Sequence, residues 1–381
     1  MPSAIDWHHD AVCSGIDQAD NALHKLNQAI HAKPELAYEE HFAHDTIYTF
    51  LEEQAFAVTR KAHGLDTSFE AQVGTGGREV VFCAEYDALP DIGHACGHNL
   101  IETSSLAAFV GAAIALKESK QPGRIRILGT PAEEGGGGKI QLIRAGAFKG
   151  TDAALMSHAV TEHGICERGC GISGTAALDL IARINFVSNF VASPPMPLME
   201  PDQRVHCAIE EAGTVPNVIT DYTRMNWYIR STTVASGQDL QRRVEACVEA
   251  GAKAAGCEFS YIRADDYKNV ASNPTICNAY SEVMATLGEK VLVSQEKPFT
   301  ASTDMGNVSY EVPSMHGAFV IPTTPGTALH SPKFAAAAGM KEAHDAAIKC
   351  GKGMALTALR ILANDDLATK MQGDFAMQHG K

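Results

Sequence analysis

The sequence predicts an α/β protein in which a mostly parallel sheet is covered by helices and a smaller α+β domain is inserted. Three observations carry that expectation. Short apolar, β-branched runs alternate with stretches of helical period through the first part of the chain, the pattern of a parallel sheet with crossover helices. The texture changes in the middle of the chain and then returns. At 381 residues the chain is also about twice the usual single-domain length, so two domains are expected.

Taken in order, helix-period apolar positions run from Ser14 to His31, and a second helix is predicted from Glu39 to Gln54. Glu79–Glu85 (EVVFCAE) is almost continuously apolar and reads as a strand buried on both faces. A helix from about Ile101 to Glu118 follows, then a strand at Arg124–Leu128 (RIRIL). A glycine-rich loop leads to a helix near Lys139–Ala147 and a strand at Ala153–Ala159 (AALMSHA). In the middle, Ala176–Asn189 has helical character and Thr223–Arg230 (TRMNWYIR) reads as a strand. Gly237–Ala255 is an amphipathic helix and Cys257–Arg263 (CEFSYIR) a further strand. From Asn273 the pattern returns to helix, a strand at His316–Ile321 and long C-terminal helices. The expected organisation is a discontinuous main domain, 1–168 and 285–381, with 169–284 inserted.

Composition narrows the function. Hydrophobic residues make up 45% of the chain and charged residues 20%, ordinary globular values that argue against wholesale disorder. A formal net charge of −14 argues against a nucleic-acid partner, because phosphate binding needs a basic surface. Small anionic substrates stay open, since a few local cations can dominate a cleft. No apolar run approaches the ~20 residues that span a bilayer, so no membrane partner is expected. The N-terminal MPSAIDWHHDAVCSGIDQAD lacks the basic start and apolar stretch of a signal peptide, and the expected location is the cytoplasm. The ten cysteines lack a repeating spacing and fit reduced, mostly buried thiols.

Four clusters carry chemistry, each at the end of a predicted strand or in the loop after it, where ligands gather in open α/β sheets. Residues 85–99, EYDALPDIGHACGHN, place three acids, two histidines and Cys96 in one loop. One glycine separates Cys96 from His98, so thiolate and imidazole can converge on one ion or on neighbouring ions, a zinc-like combination. The alternative is a polar turn with unrelated caps. In TPAEEGGGG, Glu133 and Glu134 are adjacent carboxylates whose repulsion is relieved by a cation; an acidic helix N-terminus is the competing reading. His158 ends an apolar strand, and His330 stands just ahead of a helix that Ser331 and Pro332 open. Together the clusters supply five ligand-type residues, Cys96, His98, Glu134, His158 and His330. Glu133 and Asp87 are left to orient groups or to move protons.

These motifs, with MSHA, PNVITDYTRMNWYIR, STDMGNVSYEVPSMHG and LHSPKF, resemble a family of dinuclear-zinc hydrolases. That family includes aminoacylases, glutamate carboxypeptidase and the amidohydrolases of aminobenzoyl-glutamate and indoleacetyl-amino acids. The likeness spans nearly the whole chain and is strongest to the aminoacylase-like dipeptidase branch, which cleaves dipeptides such as β-alanyl-lysine. The resemblance implies a zinc-exopeptidase-like fold with an inserted dimerisation and lid domain, and two divalent ions, zinc before manganese or cobalt. It implies that Cys96, His98, Glu134, His158 and His330 are the metal ligands, that Glu133 is the general base, and that Asp87 orients a ligand. Asn217 and Arg230 match substrate-binding positions on the inserted domain, and a homodimer is implied. In one respect the chain departs from the pattern. His158 is followed by AVTEHGICERGCGISGTAALDLIARINF, without the Gly-Lys-x-x-His-like strand of relatives, so the inserted domain is expected to be shortened.

The expected function is hydrolysis of an amide or peptide bond in a small dipeptide or N-acyl amino acid. Water activated by two metals attacks, with Glu133 as base. A metal-binding protein with weak or no catalysis is the alternative, motivated by the expected loss in the inserted domain. A structural-zinc or metal-free interaction protein is the third reading, and the wide spacing of the ligand set counts against it.

Overall fold

The computed structural model describes residues 4–161, 172–181, 199–200, 202–215, 217–218, 220–293 and 301–380. The chain divides into two compact units. The larger comprises residues 1–168, 271–298 and 307–381, and the smaller 169–270 and 299–306.

In chain order, helices α1 (Ala4–Ala32) and α2 (His41–Glu53) precede strands β1 (Val58–Arg60), β2 (Phe69–Thr75) and β3 (Glu79–Ala84). Next come α3 (His98–Ser119), β4 (Gly123–Gly129), α4 (Gly138–Arg144) and β5 (Ala153–Val160). The smaller unit contributes β6 (Ile172–Ile181), β7 (Arg204–Glu211), β8 (Thr223–Ser231), α5 (Val234–Ala255) and β9 (Glu258–Arg263). The chain then forms α6 (Pro274–Thr286), α7 (Met305–Val308), β10 (Ser314–Val320), α8 (Pro332–Ala338), α9 (Lys341–Ala363) and α10 (Asp365–His379).

The larger unit is built on a six-stranded sheet of order β1-β2-β4-β3-β5-β10. Strands β4, β3, β5 and β10 run parallel, while β1 and β2 are antiparallel at one edge. All six residues of β3 are buried, because the strand has parallel neighbours on both sides: Phe82 stands opposite Ile127 and Leu155. Helix α3 packs against α1 and α9, and its many buried alanines let the helix axes approach closely. Its Leu106 and Phe109 are fully buried, each contributing about 1.5–3 kcal/mol. By length and composition α3 passes for a membrane span, contrary to the expectation that no run would approach one, but 94% of its apolar window is buried in the unit.

In the smaller unit a four-stranded antiparallel sheet of order β7-β8-β6-β9 is covered by α5. Strand β8 alternates strictly: Met225, Trp227 and Ile229 are buried against Leu240, Val244 and Val248 of α5. Thr233 caps α5 by accepting from the Ser236 N–H, and Gly256 ends it with a positive φ of 68°.

Two expectations are corrected. Ala176–Ile181, read as the start of a helix, belongs to β6; the remainder, 182–189, lies outside the described residues. Alanine and leucine favour helix, but β6 has sheet partners on both sides, β8 and β9, and tertiary pairing overrides propensity. The chain returns to the larger unit at Ala271 rather than at residue 285. The reason lies in α6. Its cap residue Asn273 donates to the Met371 carbonyl, Thr275 bonds Asp374, and the Tyr280 hydroxyl meets Cys350, tying the helix to α9 and α10.

Candidate metal centre

The parallel strands deliver the site. Glu85 and Asp87 directly follow β3, Glu133 and Glu134 sit in a turn after β4, and His158 lies near the end of β5. His98 is the first residue of α3 rather than part of the preceding loop. Gly97, between Cys96 and His98, adopts a φ of 84°, and a Cβ there would stand 3.1 Å from Phe334 and 3.3 Å from Ala159. Both the turn and the packing therefore require glycine. His330 is tied to the same loop, its N–H donating to the Ala95 carbonyl at 3.0 Å, and it holds a left-handed φ of 57°. Such strain in a non-glycine residue is characteristic of functional sites.

The five ligand-type residues meet. Cys96 Sγ is 3.2 Å from His158 Nε2 and 3.3 Å from His330 Nε2. His330 Nε2 lies 3.5 Å from Glu134 Oε1, and His98 Nε2 lies 3.8 Å from the same oxygen. Three overlapping groups offer donor atoms mutually within 4.8 Å: Cys96, His98 and His158; Cys96, Glu134 and His330; and Glu85, His98 and Glu133. Cys96 and His98 are each shared between two groups, so the three groups form one contiguous cluster of donors.

Hydrogen bonds set which ring nitrogens face the pocket. Asp87 Oδ1 lies 2.9 Å from His98 Nδ1, leaving Nε2 directed at the carboxylates. The other Asp87 oxygen accepts from the Glu134 N–H at 2.9 Å, so one buried acid braces two ligand segments. His158 Nδ1 lies 2.7 Å from the Ala159 carbonyl, which leaves its Nε2 facing Cys96. Burial, then the charge of His98, pulls His158 down to about 3, so its imidazole stays neutral and able to ligate. For His98 burial acts in the same direction, but Cys96 and Asp87 outweigh it and hold the ring raised well above its ordinary value. Burial pushes the Cys96 thiol up.

The donor set fits divalent cations. His98 Nε2 and Glu134 Oε1 are buried without a hydrogen-bond partner, an expensive arrangement unless a cation stands between them. Sulfur, imidazole nitrogen and carboxylate oxygen together are the zinc-like combination.

Four further residues belong to this neighbourhood, and the sequence assigns a role to none of them. Lys139, fully buried, places Nζ 2.5 Å from Glu85 Oε1. Burial alone would raise the Glu85 carboxyl; Lys139 and His98 outweigh it and hold it low. Glu40 accepts from the Ala132 N–H at 2.8 Å, bracing the turn that carries Glu133 and Glu134. The His316 ring on β10 stands 6.1 Å from that of His158, with a buried Nε2 that lacks a hydrogen-bond partner. Glu85 opens the 85–99 motif, His316 lies in STDMGNVSYEVPSMHG and Lys139 directly follows four glycines, so three of the four have a local signal without a role attached to it. Asn217 and Arg230 lie in the smaller unit and are not part of the cluster, which is made within the larger one. Asn217 is exposed; Arg230, on β8, keeps a buried Nε without a hydrogen-bond partner and lies 5.8 Å from the Tyr228 ring centre.

A pocket of carboxylates, imidazoles and one thiol at the C-terminal edge of a parallel sheet defines the class: a metal-dependent hydrolase. Residues 81–350 match peptidase family M20/M25/M40, and the chain belongs to that family. It is 36% identical to the Xaa-Arg dipeptidase of Mus musculus, covering 94% of this chain and 90% of the relative. To the Xaa-Arg dipeptidase of Homo sapiens it is 34% identical, over 95% and 91%. A p-aminobenzoyl-glutamate hydrolase chain of Escherichia coli is 26% identical, with 89% of each chain covered. The fold matches a crystal structure of a dinuclear metal-binding M20 peptidase from Bacillus subtilis, with a TM-score of 0.71 and 20% identity over 91% of this chain and 99% of that one.

The expected shortening of the inserted domain is not supported. The chain spans 90% and 91% of the two mammalian dipeptidases, which gives no sign of a truncated lid. The reading of a catalytically weak member, which rested on that loss, goes with it.

Proposed function

We propose that this member of the M20 family hydrolyses the amide bond of a dipeptide or N-acyl amino acid at a two-zinc centre held by Cys96, His98, Glu134, His158 and His330. The observation that carries the reading is the pair of donor groups sharing Cys96, set beside the Glu133 carboxylate 3.9 Å from His98 Nε2. Two divalent cations, when bound, lower the pKa of water and polarise a scissile carbonyl. Glu133 takes the proton of the attacking water and returns it to the leaving amine. Asp87 fixes the orientation of His98 and the backbone of Glu134. Arg230 offers a guanidinium fork for a substrate carboxylate, and Asn217 a further polar group for the substrate. The dipeptidase relatives favour a dipeptide over an acyl amino acid.

The reading extends to a cytoplasmic homodimer. The eight described cysteines are free, which accords with a reducing compartment. Among the described residues β7 is an edge strand, exposed along nearly its whole length with Ile209 57% exposed, an edge suited to pairing. Sedimentation at micromolar concentration, giving twice the monomer mass, is the expected result.

The deciding experiment is Glu133→Gln. The variant retains the metal content of the parent while turnover of a dipeptide panel falls by about 10²–10⁴-fold. Undiminished turnover would remove Glu133 from the role of base; lost metal content would make it a ligand instead.

A further inference from the structure

Glu85 is held between two partners that compete for it. Its Oε1 lies 2.5 Å from the buried Lys139 ammonium, at the second position of α4. Its Oε2 lies 3.5 Å from His98 Nε2, the ring nitrogen that Asp87 leaves available. Two donors on one tetrahedral ion with bonds of about 2 Å stand about 3.3 Å apart, so Glu85 is at coordinating distance from any ion that His98 holds. Glu133 completes that donor group. A carboxylate in this position would be drawn into the coordination shell unless something else neutralised it.

The geometry points to Lys139 as a positioning residue that holds Glu85 out of the metal shell and so preserves the open coordination position a hydrolytic metal needs. A catalytic site is distinguished from a structural one by that vacant position, which a sixth protein ligand would close. The ammonium is well placed to prevent closure. Both partners of the pair are fully buried, and separating them would leave two uncompensated charges in a low-dielectric interior. Lys139 cannot follow Glu85 toward the metals either. Helix α4 starts at Gly138, which is wedged under Pro131: a Cβ on Gly138 would stand 1.8 Å from the Pro131 carbonyl oxygen. The inference rests on the reading of the cluster as a metal centre.

Cobalt(II) titration of the full-length, chelator-stripped protein tests it, following uptake and visible absorption in the parent, Lys139→Met, Glu85→Gln and the double variant. Glu85→Gln is expected to keep the parent spectrum, since Glu85 is not a ligand, with the affinity lowered by about tenfold through the loss of a nearby negative charge. Lys139→Met is expected to bind cobalt about tenfold more tightly, with the weaker absorption of a higher coordination number, and to lose turnover. The double variant, with no carboxylate to swing in, returns to the parent affinity and spectrum. A merely structural lysine would lower the melting temperature and leave the cobalt spectrum unchanged, which overturns the proposal. A cobalt spectrum of Glu85→Gln that differs from the parent's also overturns it, because Glu85 would then already be a ligand. That arm decides the matter even if Lys139→Met does not fold. A parent protein that takes up no cobalt fails the metal reading itself, an outcome distinct from a parent that binds and variants that do not follow the pattern.

Discussion

At the scale of single residues, the centre depends on acids that never touch a metal position. Glu40 is fully buried, accepting from the Thr67 hydroxyl and the Ala132 N–H at 2.8 Å each. Ala132 has a left-handed φ of 60°, so this contact holds a strained residue just ahead of Glu133. Burial, then the charge of Asp87, pushes Glu40 up to about 7. An acid whose pKa is raised on folding stabilises the fold while it is protonated in both states. That contribution is lost as pH rises from the ordinary value of 4.5 through about 7. Glu40→Gln keeps the acceptor for Ala132 and turns its amide toward Thr67 without titrating. In the chelated protein the variant is therefore expected to gain on the parent by on the order of 3 kcal/mol between about pH 5 and about pH 8. Urea denaturation across that range checks it, and parallel pH profiles would show that Glu40 does not titrate there.

At the scale of elements, the glycine run after Glu134 separates two requirements that the sequence alone cannot tell apart. A Cβ at Gly138 meets the Pro131 carbonyl at 1.8 Å, whereas a Cβ at Gly135 meets nothing within 4 Å and needs no positive φ. Gly138→Ala is therefore expected to push α4 away from the Glu133–Glu134 turn and to weaken metal binding by about tenfold or more. Gly135→Ala is expected to leave binding and melting temperature unchanged. Equal behaviour of the two variants in a metal titration would refute the claim that the start of α4 sets the geometry of the turn. The same scale explains why β6 reads as helix from its residues: its alanines and leucines are locally helical, and only the partners β8 and β9 make it a strand.

At the scale of the whole molecule, the centre draws together segments from residue 85 to residue 330, so cation binding must be linked to folding of the larger unit. Zinc at about 100 times its Kd is expected to add roughly 2.7 kcal/mol to stability. Its sign with pH follows from the groups that must lose protons. Burial raises the Cys96 thiol, and its neighbours raise His98, so uptake releases protons and weakens as pH falls. Melting curves with zinc and with chelator should separate at about pH 7.5 and converge toward about pH 5.5. Cys96→Ser should narrow the separation at the higher pH. Coincident curves for the parent at both values would argue that the cluster holds no metal.

The local sequence determined the candidate ligand set. Cys96 and His98 are separated by a single glycine, Glu133 and Glu134 are adjacent, and each group follows an apolar strand. Thiolate, imidazole and carboxylate concentrated at strand ends carry their chemistry in short motifs, which can be read without a fold. The parallel α/β architecture was legible for the same reason, since hydrophobic period is a local property. Tertiary structure decided what no local pattern encodes. It set the pairing of Glu85 with Lys139, 54 residues away, and the bracing of Ala132 by Glu40, 92 residues away. It also buried His316 beside His158 and brought the chain back to the larger unit at Ala271. A buried charge is defined by its distant partner rather than by its neighbours in the chain, so the candidate ligands and Asp87 were visible in the sequence, while the roles of Lys139 and Glu40 were not.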